Sequence, residues 1–146
     1  MSLLVTNFVT IAIEKMNYNL PSNLSELPIY QKAMDILVLS RSISTYINQD
    51  LSYLRPDGSE DADIYFSGDI IQQSESLAPE IEKAQAERFS DKKHKHLDSI
   101  ERLTHRLHLN CTRLQHCNSN GKDFLPILQS ELKKFKRLQR SWMMTL

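Results

Sequence analysis

The chain has 146 residues, one domain's worth, and at that size it can bury roughly two-thirds of the surface its unfolded form exposes without disulfide or metal staples. Apolar residues make up 40% and charged residues 25%, while glycine occurs only 3 times, which argues against an all-β chain built from many tight turns. The formal net charge of zero hides a division: residues 1–91 carry 6 Lys/Arg against 14 Asp/Glu, a net of −8, and residues 92–146 carry 12 against 4, a net of +8.

Residues 1–16 are apolar, with Leu3, Leu4, Val5, Phe8, Val9, Ile11 and Ile13. They lack a basic leader and a small-residue cleavage site, and the run is too short to span a bilayer. The expectation is an N-terminal arm packing on the core or on a neighbouring subunit, joined by a Pro- and Ser/Asn-bearing connector, so that residues 1–26 stand apart from a bundle over 27–146. A first helix starts near Pro28, a suitable first-turn proline, with Ile29, Ala33, Ile36, Ile43, Ile47, Leu51 and Leu54 at helical spacing and Ser40 filling the long step. Arg55-Pro56-Asp57-Gly58-Ser59 is a turn signal that ends it. A second helix spans about Ala62 to Arg88, its seam formed by Ile70, Ser74, Leu77, Ile81 and Ala84. Pro79 either kinks this helix, the preferred reading, or lies in the first turn of a second short helix capped by Ser76. A third helix, with Ser90 as N-cap, runs to about Cys117 through Leu97, Ile100, Thr104, Leu107, Cys111 and Leu114. Asn118-Ser119-Asn120-Gly121 is a loop. A fourth helix follows from Asp123 as cap, with Leu125, Leu128, Leu132, Phe135, Leu138 and Trp142 inward. The fold class read from this pattern is all-α, an antiparallel up-down four-helix bundle, because short connections make sequential helices antiparallel neighbours.

Cys111 and Cys117, read on one helix, would have Cα atoms roughly 9 Å apart, beyond disulfide reach, so they read as reduced, buried thiols in a compartment such as the cytoplasm. Histidines 94, 96, 105, 108 and 116 are the first place to look for a metal. His105, His108 and Cys111 drift around the helix and cannot close a tetrahedral site, and Glu101 is misplaced for the Glu-x-x-His pattern of di-metal bundles. There is no Gly-rich phosphate loop, Gly-x-Ser-x-Gly or His-Glu-x-x-His motif. No catalytic residue, metal site, cofactor or small-molecule substrate is expected, nor a membrane span.

The basic stretches carry the functional signal. Lys92, Lys93 and Lys95 open the third helix, Arg102, Arg106 and Arg113 follow along it, and Lys133, Lys134, Lys136, Arg137 and Arg140 crowd the fourth. Lys133, Arg137 and Arg140, at i, i+4 and i+7, share one helical face. Such a stripe can meet phosphates with affinity that falls steeply in salt, or it can simply be a solvated face. No aromatic side chain interleaves it for base stacking.

Leu27-Pro28-Ile29-Tyr30-Gln31-Lys32-Ala33 resembles the opening of a family of small bacterial four-helix-bundle proteins. The family comprises products encoded within intervening sequences of 23S rRNA genes and the accessory variability determinant proteins of diversity-generating retroelements. The second branch is the more similar: Ile100 to Leu114, with Arg106-Leu107, resembles its third helix, and Phe135 to Trp142 its terminal helix and closing tryptophan. The resemblance covers roughly residues 27–143. It implies a homopentameric ring of bundles that binds a reverse transcriptase and RNA or DNA during mutagenic copying. This chain departs from those strongly basic proteins in being neutral, with an acidic first half. The alternative class is a protein-interaction or scaffold bundle with no nucleic-acid role.

Overall fold

A computed structural model describes residues 23–53 and 55–146. Four long helices carry the described chain: α1 (Pro28–Leu51), α2 (Asp63–Ala86), α3 (Ser90–Leu114) and α4 (Leu125–Met143), with 3-10 turns at Leu24–Glu26 and Asn120–Phe124. No strand occurs among the described residues, and no helix is long and apolar enough to cross a membrane. The expected arm from Leu3 to Ile13 lies outside the described residues. The connector's end belongs to the core, because Leu24 is buried in it.

The four seams read from the sequence converge on one hydrophobic cluster. Ile36, Ile47, Ile70, Leu77, Ile81, Ile100, Leu107, Leu128 and Phe135 are all inaccessible. Partner residues run in opposed numerical order along neighbouring helices. Ser44 and Ser40 of α1 meet Ser67 and Ser74 of α2; Glu80 and Gln73 of α2 meet His96 and Asn110 of α3; Tyr46 lies near Phe124 and Lys32 reaches Glu131 on α4. Where α1 faces α2 the core is polar. The buried hydroxyls of Ser44 and Ser67 share a hydrogen bond of 2.7 Å, and Ser74 donates to Ser40 at 2.6 Å, so these small side chains satisfy one another.

Helix ends differ from the spacing-based expectation for local reasons. α1 ends at Leu51, the expected seam position Leu54 lies outside the described residues, and the turn that follows is built as its residues dictate. Gly58 takes φ +82°, its N–H donates to Arg55, and Asp57 accepts from the Ser59 N–H and hydroxyl, which holds its carboxyl below the ordinary range. α2 starts after Asp61, whose carboxylate accepts the Asp63 N–H at 2.9 Å, and ends at Ala86 rather than Arg88, where Glu87 turns extended and accepts the N–H groups of Arg88 and Phe89. It runs through Pro79 as one helix. Ser76 caps nothing; it sits inside α2 and donates to the Gln72 carbonyl. Ser90 is the first helical residue of α3, not its cap, and Phe89 is the extended residue before it. α3 ends at Leu114, so Cys117 falls in the turn beyond. Asp123 does not cap α4: it lies in the 3-10 turn, which Ser119 caps by accepting the Gly121 N–H while donating to Asp50 at 2.7 Å. Gly121 is required there, since a Cβ would lie 2.7 Å from Ile47.

Candidate functional site

The inward seams of α3 and α4 fix where their cations point. With Leu97, Ile100, Leu107 and Leu114 buried, Lys92, Lys95, Arg102, Arg106 and Arg113 are exposed and Lys93 is half-buried. With Leu128, Leu132, Phe135 and Trp142 buried, Lys133, Lys134, Lys136, Arg137 and Arg140 are exposed. Only Lys134 among them enters an ion pair within the described residues, with Glu131 at 3.1 Å. Lys92 sits over the Phe89 ring at 5.3 Å and Arg113 over the Phe66 ring at 4.9 Å. The rest of the cationic charge meets solvent.

The structure distributes these cations over three concavities. Between α3 and α4 lies a groove of about 530 Å³ lined by Lys136, Arg140, His105, Glu101, Thr104, Gln139 and Met143. Lys95, Arg102 and Arg106 gather on the outer face of α3 with Asp98, Glu101 and His105. Arg106 and Arg113 turn toward α2 and line a second groove of about 390 Å³ with Asp69, Gln72, Gln73, Leu109 and Asn110. Arg102 thus stays on the outer face of α3, Arg106 lies at the edge between that face and the α2 side, and Arg113 lies on the α2 side. Lys133 and Arg137 border none of these three concavities, and Phe135, between Lys134 and Lys136, is fully buried and offers them no ring.

Sequence reasoning missed two residues of this region. Gln139 is buried at the floor of the α3/α4 groove while Leu138 is only half-buried. The signal was present: Leu128, Leu132, Phe135, Gln139 and Trp142 step by 4, 3, 4 and 3, a more regular seam than the one through Leu138. Glu131 was also missed. It is a buried carboxylate held by Lys32 at 2.6 Å and by Lys134. Burial acts to raise its pKa, but these two lysines outweigh that and hold it below the ordinary glutamate range.

Among the described residues no three His, Cys, Asp or Glu side chains converge as metal ligands. His96 shares a 2.8 Å hydrogen bond with Glu80. Cys111 and Cys117 are free and buried; burial pushes the Cys111 thiol up to about 12 and raises that of Cys117. A thiol so placed is a packing group rather than a nucleophile. No family model, curated protein or solved structure matches this chain.

Proposed function

We propose that this chain is a non-catalytic accessory subunit that binds a polyanion, RNA or DNA, through the basic face of α3 and α4. The observation that carries the reading is the α3/α4 groove, where Lys136 and Arg140 stand outside ion pairs beside His105 and a single carboxylate, Glu101, with Lys133 and Arg137 exposed farther along the same helix. Cations left unneutralised release counterions when phosphates replace water, so binding should weaken linearly in the logarithm of salt concentration. A reverse transcriptase as protein partner, and a diversity-generating retroelement as setting, rest on the resemblance of the Leu27 to Ala33 and Phe135 to Trp142 segments. The opposed order of partner residues supports an up-down antiparallel bundle, and two unpaired thiols fit a reducing cytoplasm.

The test replaces Lys133, Arg137 and Arg140 with Gln and measures single-stranded RNA binding across salt concentrations. Each lost phosphate contact should reduce the slope by about 0.7–0.9 in magnitude. The melting temperature should barely move, because all three side chains are exposed and outside ion pairs. Unchanged affinity would reduce the stripe to a solvated face. Asp98 and Glu101, exposed within the same face, favour the second reading, a protein-interaction or scaffold bundle whose partner carries both charge signs. A homopentamer would set the acidic side of one copy against the basic side of the next. Light scattering at low and high salt should then give a five-fold mass that loosens with salt, and a monomer would exclude it.

A further inference from the structure

The α2/α3 groove has a different chemistry from the face just described, and its occupant need not be a polyanion. Arg113 lies with its guanidinium carbon 4.9 Å from the centre of the Phe66 ring. Such stacking holds the planar fork in place and leaves its N–H edge for an incoming oxyanion, so little freedom is lost on binding. Arg106 lines the same groove one heptad earlier, about 10.5 Å away along the helix. Neither arginine enters an ion pair among the described residues. Between them the side chain of buried Asn110 donates to Gln73 at 3.1 Å. That amide pair leaves the Gln73 NH2 as a donor and the Asn110 carbonyl as an acceptor, the two groups a peptide backbone requires. Leu109, 42% exposed, adds an apolar contact on the rim. Asp69 lines the α2 side and is repulsive toward a continuous run of phosphates.

We propose that the groove between α2 and α3 docks an extended acidic segment of a partner protein, with two carboxylates received by Arg106 and Arg113 and the intervening backbone read by Gln73 and Asn110. In the extended polyproline-II form, with three residues per turn and a rise of about 3.1 Å per residue, carboxylates three residues apart lie on one face about 9 Å apart, close to the separation of the two arginines. Bidentate carboxylate binding suits the guanidinium fork.

The experiment uses the full chain and a fluorescein-labelled synthetic peptide carrying two glutamates three residues apart in a Gly/Ser background, read by anisotropy. The Gln-for-Glu peptide is the control, and single-stranded RNA is the competitor. Arg113→Gln should weaken the peptide by about tenfold, the size of one charge-assisted hydrogen bond. Arg113→Lys, which keeps the charge and loses the fork, should recover only part. Phe66→Leu keeps the apolar bulk and should cost about threefold by removing the ring under the guanidinium. The Lys133/Arg137/Arg140→Gln variant should bind the peptide as the parent does, which separates this groove from the polyanion face. Equal binding of the Gln peptide, indifference to Arg113→Gln, or no binding at millimolar peptide would overturn the proposal. So would displacement by RNA together with an equal loss of RNA binding in Arg113→Gln, which would give the groove to the nucleic acid.

Discussion

Replacing Lys32 with Met tests the most consequential buried charge in the molecule. Lys32 on α1 reaches Glu131 on α4 at 2.6 Å and Asp35 at 3.3 Å, and the Glu131 side chain is only 4% exposed. Methionine keeps the aliphatic stem and deletes the ammonium. Removing one partner of a buried pair costs about 3–5 kcal/mol, because the other charge stays buried without compensation. Lys134 still donates to Glu131 at 3.1 Å and Lys32 is itself 19% exposed, so a value near the lower end, about 3 kcal/mol, is expected. In a domain of this size that lowers the melting temperature by about 6–12 °C. Lys32→Met/Glu131→Leu removes both charges and should recover most of the loss. The pH dependence carries its own signs. The Glu131 pKa lies below the ordinary 4.5, so its contribution is present above that value and is lost as pH falls through the depressed one. Burial opposes the charge on Lys32, but the hydrogen bond and charge of Glu131 outweigh it and raise its pKa above 10.5. Its contribution is therefore present below 10.5 and is lost as pH rises through the raised value. Asp35, raised by burial, acts the other way near its titration and makes the acid limb shallower. Thermal melts by far-UV circular dichroism should show the widest gap between parent and Lys32→Met from about pH 5 to 10. A loss under about 1 kcal/mol, or a double variant no better than the single, would refute the reasoning.

Two further perturbations test the packing. Leu107 and Leu132 are 0% and 2% exposed, and truncating either to Ala should cost about 2–5 kcal/mol in urea denaturation. Parent-like midpoints for both would put the helical phase in error. The glycines should split in sign. Gly121→Ala drives a Cβ to within 2.7 Å of Ile47 and 2.9 Å of Tyr46 and should destabilise by about 1–3 kcal/mol. Gly68→Ala, on the exposed side of α2 with nothing within 4 Å, should stabilise by about 0.5–1 kcal/mol.

What was legible in the sequence was whatever repeats. Among the described residues, every seam position read for α1, α2 and α3 is buried, Ser74 and Thr104 included with their hydrogen bonds, because burial follows the helical period whatever the side chain; sequence reasoning missed the broader buried face of α1, with Tyr30, Met34, Leu37, Leu39 and Ser44. The reading of α4 fails where an apolar residue lies off the regular step: Leu138 reads as inward but is half-buried, whereas polar Gln139, on the step, is buried. Helix ends were less legible because single local hydrogen bonds set them, from Asp61, Glu87 and Ser119, and no repeat marks such bonds. Ser119 caps the 3-10 turn while held by Asp50, and nothing in Asn118 to Gly121 announces that partner. The Lys32–Glu131 pair lay beyond reach for the same reason, since charged residues on two helices 99 positions apart show no period relating them.

The division of charge was legible too, but its spatial consequence was not, because a helix presents different neighbours on its two flanks. α3 carries the same residue types along its length. Where it faces α4, Lys136 and Arg140 add cations that stand outside ion pairs beside Glu101 and His105. Where it faces α2, Asp69, a stacked aromatic ring and an amide pair are added, so Arg106 and Arg113 become individual, oriented forks. Accumulated charge attracts polyanions with little regard for shape and is screened by salt. Oriented forks over a polar floor select by geometry and lose less to salt, because their hydrogen bonds are directional and partly shielded. The basic half of the sequence therefore folds into two surfaces of unlike composition, and the partner helix, not the count of lysines and arginines, decides which is which.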